Sequence, residues 1–149
     1  MFTFHNTKSY QLPLGFLLEK EQPPSPKELN RLLYKCNADI YSPKKLGKAF
    51  DNSFCNLSIL QEKTLKLSGF VRITTDQGLN ANLWDLVAEP GKNQHHLLAF
   101  LINSALSIIR KNLPGCSISI ASPSMAIQLL EDSGFIIDPG GIRTMAYKI

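Results

Sequence analysis

The spacing of apolar residues changes at Pro90-Gly91, and this change constrains the fold more than any other feature of the chain. Before it, residues 80–88 follow a period of two, which predicts a strand. After it, apolar residues recur every three or four positions as far as Asn112, which predicts a largely buried helix. A strand that leads into a buried helix is typical of domains in which helices cover a sheet. The apolar helix positions are Leu97, Leu98, Leu101, Ile102, Ala105, Leu106, Ile108 and Ile109.

Other segments extend the same architecture. Ser25-Pro26 and Ser42-Pro43 each combine a capping serine with a proline at the first helical position, so each predicts a short helix. Ser122-Pro123 predicts a third such start, for a helix that ends at Gly134. The expected fold class is therefore α/β (α+β), a mixed central sheet with helices on both faces, in one domain over residues 1–149. Strands are predicted at residues 14–19, 54–60, 67–75, 80–88, 116–121, 135–137 and 143–149.

Composition and charge exclude several classes of protein. With 149 residues, 44% of them hydrophobic, the chain is suited to one globular domain rather than to disorder. No apolar run reaches the roughly 18 residues of a membrane span, and no secretory pattern opens the chain, so we expect a cytoplasmic protein without a membrane partner. The net charge is +4, but no basic run exceeds two residues, so we expect no nucleic-acid partner. Cys36, Cys55 and Cys116 form no CxxC pair, and no metal site is expected.

The passage through Pro90 into the long helix is the most informative segment for function. A strand that feeds the N-terminus of a helix presents free backbone N–H groups and a partial positive charge. Such a terminus is suited to an anion or a phosphate group. The same strand alternates, and its pattern predicts Ala81, Leu83, Asp85, Val87 and Glu89 on one side, with Asn82, Trp84, Leu86 and Ala88 on the other.

A family resemblance rests on Gly69-Phe70-Val71-Arg72, Leu83-Trp84-Asp85-Leu86-Val87-Ala88-Glu89-Pro90 and Ala126-Ile127-Gln128-Leu129-Leu130-Glu131-Asp132-Ser133-Gly134-Phe135. Together these motifs resemble the GNAT superfamily of N-acetyltransferases. Within it, Asn80-Ala81-Asn82-Leu83-Trp84-Asp85 and the closing Gly134 to Arg143 are similar to the plastid and cyanobacterial branch of serotonin (arylalkylamine) or lysine N-acetyltransferases. The resemblance implies a splayed pair of parallel strands, here Leu83 to Ala88 and Ser117 to Ala121, that admits the pantetheine arm of acetyl-CoA.

The resemblance also implies the reactants. Acetyl-CoA would be the cosubstrate, and the acceptor would be a primary amine, either a small arylalkylamine or a protein lysine or N-terminal amine. A backbone N–H near Val87 or Ala88 would hold the oxyanion that develops during transfer. Dimerisation through C-terminal strands is common in the family and leaves a homodimer open. The candidate cofactor-binding residues are Leu86, Val87, Ala88, Lys92, Asn93, Gln94, His95, His96, Leu97, Leu98 and Ser122.

Two segments depart from the family pattern. The pyrophosphate loop reads Q/R-x-x-G-x-G/A in the family, whereas this chain has His96 and Leu98 at the two small positions. We expect their side chains to crowd the pyrophosphate, with Lys92 and the histidines replacing part of the lost contacts, and hence weaker cofactor binding than the family norm, or none. Leu130 replaces the tyrosine that often protonates the departing thiolate. These departures support an alternative, a catalytically impaired GNAT-fold pseudoenzyme that binds a ligand or a protein.

The catalytic candidates are Asp85, Glu89 and Tyr147. The attacking amine has to lose a proton, and Asp85 and Glu89 lie four residues apart on one side of the predicted strand, where either could accept it directly or through water. Asp85 has an equally supported structural alternative, an ion pair with a residue such as Arg72. For the general acid, the sequence leaves Tyr147, Ser124 and a water molecule open. The aromatic residues Tyr34, Tyr41, Phe50 and Tyr147 are candidates for lining an acceptor pocket, or for the core.

Overall fold

The computed structural model describes residues 10–141 and 145–147. Its elements follow the predicted order closely, and the mixed α/β fold class is confirmed. The strands are β1 (Phe16–Glu19), β2 (Cys55–Gln61), β3 (Leu67–Thr75), β4 (Asn80–Ala88) and β5 (Ser117–Ile120). The helices are α1 (Pro26–Lys35), α2 (Pro43–Asp51), α3 (Gln94–Asn112) and α4 (Ile127–Asp132), with short 3₁₀ turns at Ser124–Ala126 and Pro139–Gly141.

The five strands form one sheet in the order β1-β2-β3-β4-β5. Strands β1 to β4 pair antiparallel in sequence order, whereas β4 and β5 pair parallel across the α3 crossover. A parallel pair needs a long connection, and α3 provides it. The β4–β5 pair therefore lies at one edge of the sheet, and α3 connects the end of β4 to the start of β5.

The first two helices begin where the sequence predicts. The hydroxyl of Ser25 accepts a hydrogen bond from the Glu28 N–H at 3.2 Å, and the hydroxyl of Ser42 accepts one from the Lys45 N–H at 3.3 Å. Each bond satisfies one of the free donors of a helix N-terminus. Both helices then bury one apolar face, which holds them on the sheet.

Helices cover both faces of the sheet. On one face, α1 and α2 pack against β3 and β4, and their cluster includes Leu67, Phe70 and Val87. On the other face, α3 and α4 pack over the larger cluster, in which Ala81 and Leu83 take part. The buried character predicted for α3 is confirmed, because eight of its residues are buried: Leu97, Leu98, Ala99, Leu101, Ile102, Ala105, Leu106 and Ile109.

A β-bulge in β4 changes the predicted alternation. Asp85 has a φ of 57°, and the β3–β4 register shifts by one residue there. The extra residue reverses the side-chain direction, so Leu86 and Ala88 join the α3 cluster together with Ala81 and Leu83. The predicted separation of Leu86 and Ala88 from Ala81 and Leu83 is therefore wrong, although Asp85, Val87 and Glu89 do share the α1 and α2 face.

The C-terminal part of the chain differs from the prediction. Ser122 does not cap a helix, because its hydroxyl donates to the Pro123 carbonyl at 2.8 Å and α4 begins only at Ile127. The predicted helix end is confirmed at Gly134, whose φ is 100°. Residues 135–137 form no strand, since the Phe135 N–H bonds to the Leu130 carbonyl at 3.0 Å and folds the segment onto α4. Of the strand predicted at residues 143–149, residues 145–147 have no regular structure, and the rest lies outside the described residues.

Candidate functional site

Strands β4 and β5 stop pairing before β4 ends, and the side of β4 that β5 leaves unpaired is called the cleft below. The parallel register runs from Asn80 opposite Ser117 to Leu83 opposite Ile120, where β5 ends, while β4 continues to Ala88. Residues 84–88 of β4 therefore have β3 on one side and no partner from β5 on the other. The splayed parallel pair implied by the resemblance has this form, and the bulge at Asp85 lies just beyond the point where the strands part.

The backbone of Ala88 faces the open side of β4. Ala88 lies opposite Gly69 in β3, and the next residue, Glu89, donates its N–H to the Ser68 carbonyl at 2.8 Å. In an antiparallel ladder, hydrogen-bonded and non-hydrogen-bonded pairs alternate. The polar groups of Val87 are therefore directed toward β3, and those of Ala88 toward the cleft.

Asp85 is held from two sides. One carboxylate oxygen, Oδ2, accepts a hydrogen bond from Arg72 Nε at 3.0 Å, and the other accepts one from the Tyr41 hydroxyl at 3.1 Å. The Asp85 side chain is only 6% exposed and that of Arg72 16%. Arg72 also lies over the Trp84 ring, 6.0 Å from its centroid. The ion pair expected as the structural alternative for Asp85 is thus present, and it lies at the β4 bulge, next to the point where the two strands part.

Tyr41 adds a hydroxyl group to this cluster. Its backbone is fixed by Asn30, whose side chain donates to the Tyr41 carbonyl at 2.7 Å and accepts from the Tyr41 N–H at 3.0 Å. Partial burial, together with the charge and hydrogen bond of Asp85, raises the pKa of Tyr41. The sequence pattern offered no signal for this contact, because Tyr41 belongs to the irregular α1–α2 connection and lies 44 residues from Asp85 in the chain.

Glu89 has a different environment. Lys35 Nζ lies 2.7 Å and Lys66 Nζ 3.0 Å from Oε1, and the Ser68 hydroxyl donates to Oε2 at 3.2 Å. Burial acts to raise the pKa of Glu89, but the hydrogen bonds and charges of the two lysines outweigh it and hold the pKa at about 2. A carboxylate with so low a pKa is a weak base near neutral pH. The surroundings of Glu89 favour a structural clamp that connects α1, β3 and the end of β4.

The start of α3 lies at the carboxyl end of β4. Its N-cap residue, Asn93, makes no side-chain capping bond, while its carbonyl accepts from the Leu97 N–H at 2.9 Å. His95 and His96 are exposed, and so is Lys92. Leu98 is only 1% exposed and packs in the core with Leu97, and the expected crowding of the pyrophosphate at this loop stays a prediction. Of the two positions that depart from the family pattern, only His96 is exposed.

The remaining candidates are spread over the molecule. Tyr147 is 92% exposed, whereas Leu130, which replaces the family's tyrosine, is buried in the α3 and α4 core. Phe50 is a core residue that contacts Phe70, and Tyr34 is exposed on α1. Ser122 keeps its hydroxyl on the Pro123 carbonyl. Among the described residues, no group of three or more metal-ligating side chains is found, and no helix is long and apolar enough to cross a membrane.

Comparisons with known proteins place this geometry in context. No family model matches the chain. A protein from Gracilaria tenuistipitata named uncharacterized N-acetyltransferase ycf52 is 33% identical over 104 residues, which cover 68% of this chain and 57% of that protein. An Arabidopsis thaliana protein named GCN5-related N-acetyltransferase 2, chloroplastic, is 32% identical over 85 residues, which cover 57% of this chain and 32% of that protein. The chain thus spans between a third and three fifths of these relatives' lengths.

Solved structures share the fold. A Staphylococcus aureus protein of unknown function, named a probable acetyltransferase, superposes with a TM-score of 0.78 at 13% identity over 89% of this chain and all of that one. A GNAT family acetyltransferase from Streptococcus pneumoniae superposes with a TM-score of 0.69 at 16% identity over 90% of this chain and 97% of that one. At these identities the likeness is one of fold.

Proposed function

Because the chain belongs to the GNAT superfamily of N-acetyltransferases, with relatives in its plastid and cyanobacterial branch, we propose that it transfers an acetyl group from acetyl-CoA to a primary amine by direct attack. The observation that carries this proposal is the divergence of β4 from β5 after Leu83, beside a carboxylate at the β4 bulge. The acceptor we propose is a small arylalkylamine or the amine of a protein lysine or N-terminus.

The cleft suits the acetyl donor. The pantetheine arm carries amide groups, and the open edge of β4 offers backbone partners such as the Ala88 carbonyl, which is directed toward the cleft. The start of α3 offers backbone N–H groups for phosphate oxygens, with Lys92 exposed beside it. Leu97 and Leu98 would contribute through their backbone alone, since their side chains are in the core. We propose that the donor is held by Leu86, Val87, Ala88, Lys92, Asn93, Gln94, His95, His96, Leu97, Leu98 and Ser122.

When bound, acetyl-CoA supplies the thioester carbonyl that the amine attacks. Ala88 is the better of the two candidate oxyanion donors, since the backbone of Val87 is directed toward β3. A preorganised N–H of this kind contributes about 3 kcal/mol in other acyl-transfer sites. The cleft edge therefore carries both the positioning groups and the donor for the developing charge.

Asp85 is the base that this geometry supports best. Asp85 lies at the bulge where the cleft opens, on the face that α1 and α2 cover. Its Oδ1 atom accepts a hydrogen bond from the Tyr41 hydroxyl. The proton of the amine would pass to Asp85 directly, through water or through that hydroxyl. Arg72 then positions the carboxylate on its other side. Glu89, with its pKa at about 2, is less suited to this role.

Other parts of the proposal depend on the relatives. Tyr147, which is 92% exposed, stays the candidate acid for the thiolate. Two relatives are named chloroplastic, so the compartment we propose is the cytoplasm or the stroma of a plastid. We also propose that the chain forms one GNAT domain and assembles as a homodimer.

A catalytically impaired GNAT-fold protein that binds a ligand or partner is the second candidate function. Two observations favour it. Leu130 fills the position of the usual tyrosine with a buried apolar side chain, and the lysines around Glu89 remove one of the two carboxylates from acid–base chemistry. A binding role would keep the cleft and need neither group.

The proposal is tested first by titration calorimetry with acetyl-CoA and coenzyme A, and then by thiol release over a panel of amines. We expect binding, turnover with at least one amine, and a loss of about 10²- to 10⁴-fold in kcat for Asp85→Asn. Asp51→Asn, at the exposed end of α2, is the matched control and should leave kcat unchanged. No binding at millimolar acetyl-CoA would overturn the proposal, and binding without turnover would favour the second candidate.

A further inference from the structure

One side chain crosses the mouth of the cleft. Gln94 is the first residue of α3, at the carboxyl end of β4. Its amide nitrogen donates to the Ala88 carbonyl at 3.0 Å and to Met125 Sδ at 3.4 Å. Met125 belongs to the 3₁₀ turn that follows β5. The Gln94 amide thus connects the end of β4 to the turn that follows β5.

The Ala88 carbonyl that Gln94 occupies is directed toward the cleft. Besides Gln94, the carbonyl accepts from the Cys36 thiol at 3.2 Å, on the side of α1. A carbonyl has two lone pairs, so these two donors take its acceptor capacity. An incoming donor that seeks this carbonyl meets it already bonded.

The side-chain amide of Gln94, which bonds to the Ala88 carbonyl, resembles the amide groups of acetyl-CoA that would replace it there. Gln94 presents a primary amide N–H, and the pantetheine arm of acetyl-CoA presents secondary amide N–H groups. Both are neutral donors, so one hydrogen bond to Ala88 would be exchanged for another of similar strength. Both cannot occupy the same place, and the Gln94 side chain, attached at the end of a helix, can rotate toward solvent.

We propose that Gln94 is a displaceable latch on the cleft, which satisfies the Ala88 carbonyl in the free protein and swings out when acetyl-CoA enters. This inference rests on the proposed function. For Gln94 it replaces the donor-binding role given under the proposed function, because a latch weakens acetyl-CoA binding whereas a donor-binding residue strengthens it. Through its contact with Met125, the Gln94 side chain also connects β4 to the segment that follows β5.

The direction in which the acetyl-CoA affinity changes distinguishes a latch from a donor-binding residue. In Gln94→Ala, the bond to Ala88 is absent from the free protein and has no need to be broken on binding. The affinity for acetyl-CoA should therefore rise by about threefold to tenfold, the equivalent of one net hydrogen bond. The free variant should melt about 2 °C lower, because the same bond is lost without the donor.

The experiment combines calorimetry with an observation on the free protein. Acetyl-CoA is titrated into the wild type, Gln94→Ala and the control Asn52→Ala, which removes a similar amide-to-carbonyl bond at the end of α2. In ¹⁵N-labelled protein, the Gln94 side-chain amide is assigned by its absence in the variant. We expect dispersed, slowly exchanging protons in the free protein and a shift toward solvent-exposed values when acetyl-CoA is added.

Each outcome decides between the two claims. Tighter binding by Gln94→Ala alone, with release of the amide signal, supports the latch, and so does binding that is measurable only in that variant. Unchanged or weaker binding by Gln94→Ala overturns the latch and leaves the proposed function standing, as does a solvent-exposed amide in the free wild type. If none of the three proteins binds acetyl-CoA, the proposed function and the latch are both overturned.

Discussion

Glu89 shows how single residues connect the elements around the cleft. Its carboxylate joins α1 through Lys35, the β2–β3 connection through Lys66 and the start of β3 through Ser68. Arg31 Nη1 approaches the same oxygen at 4.0 Å, so three cations surround one carboxylate. Removing the negative charge would leave these cations facing one another with no counter-charge, which destabilises the folded state.

This network predicts an acid-sensitive contribution to stability. The pKa of Glu89 is about 2 in the folded protein against an ordinary value of 4.5, so the folded state binds a proton less readily than the unfolded state does. The stabilisation is complete above the ordinary pKa and is lost as the pH falls from about 5 toward 2. In Glu89→Gln, the free energy of unfolding should be lower at pH 7 and should change less over that interval.

The measurement is urea unfolding of both proteins between pH 7 and the lowest pH at which a folded baseline remains. Asp76, with its pKa also lowered to about 2 by backbone hydrogen bonds, titrates in both proteins and cancels in the difference. Glu62→Gln, at an exposed position in the β2–β3 connection, is the control and should follow the wild type. A parallel pH profile for Glu89→Gln and the wild type would contradict the prediction.

At the scale of elements, the contact between β3 and α3 depends on Gly69. A Cβ atom at this position would lie 3.2 Å from Ile59 Cδ1 and 3.2 Å from Leu101 Cδ1, both in the core. These side chains have little room to move in a close-packed interior. Gly69→Ala should therefore lower the free energy of unfolding by about 1–3 kcal/mol, as overpacking does in other cores.

The control for this prediction is a second glycine with free space around it. Gly47 lies within α2, with no atom within 4 Å of a built Cβ, so Gly47→Ala should raise the free energy of unfolding by about 0.5–1 kcal/mol through helix propensity. Chemical denaturation of both variants measures the two values. A neutral or stabilising Gly69→Ala would show that α3 can shift away from β3 at no cost.

Local patterns explain why most elements were predictable. The serine and proline pairs at Ser25 and Ser42 act through bonds within one turn, and the glycine end of α4 does the same at Gly134. The β4 bulge was not predictable from alternation, because the extra residue at Asp85 is defined only by its register with β3. The cap expected at Ser122 and the strand at residues 135–137 are wrong for a related reason, since each depends on partners outside the local sequence.

The candidate site divides in the same way. The sequence placed Asp85 beside Arg72 and the start of α3 beside the end of β4, since both follow from neighbouring strands and connections. Tyr41 and Met125 reach the site from distant segments, and no spacing rule connects them to Asp85 or Gln94. Leu98 stands at a small position of the family pattern, and its side chain is buried in the core, a placement that depends on packing rather than on the motif.

At the scale of the whole molecule, the net charge of +4 favours an anionic ligand without specifying where it binds. The basic residues are scattered along the chain, whereas the start of α3 concentrates backbone N–H groups beside the exposed Lys92. The proposed donor carries phosphate groups. The affinity for acetyl-CoA could depend on the charge of the whole chain or on the N-terminus of α3. Two substitutions that change the net charge equally, one at that terminus and one elsewhere, distinguish these contributions.

Lys92→Gln and Lys63→Gln each lower the net charge from +4 to +3, one at the start of α3 and the other in the exposed β2–β3 connection. If the helix terminus holds the phosphates, raising the salt concentration from about 0.05 to about 0.5 M should weaken acetyl-CoA binding several-fold in the wild type and in Lys63→Gln. The dependence should be shallower in Lys92→Gln, because that variant lacks the cation that immediately precedes α3 in the chain. Equal slopes in both variants would contradict a local role and assign the attraction to the charge of the chain as a whole.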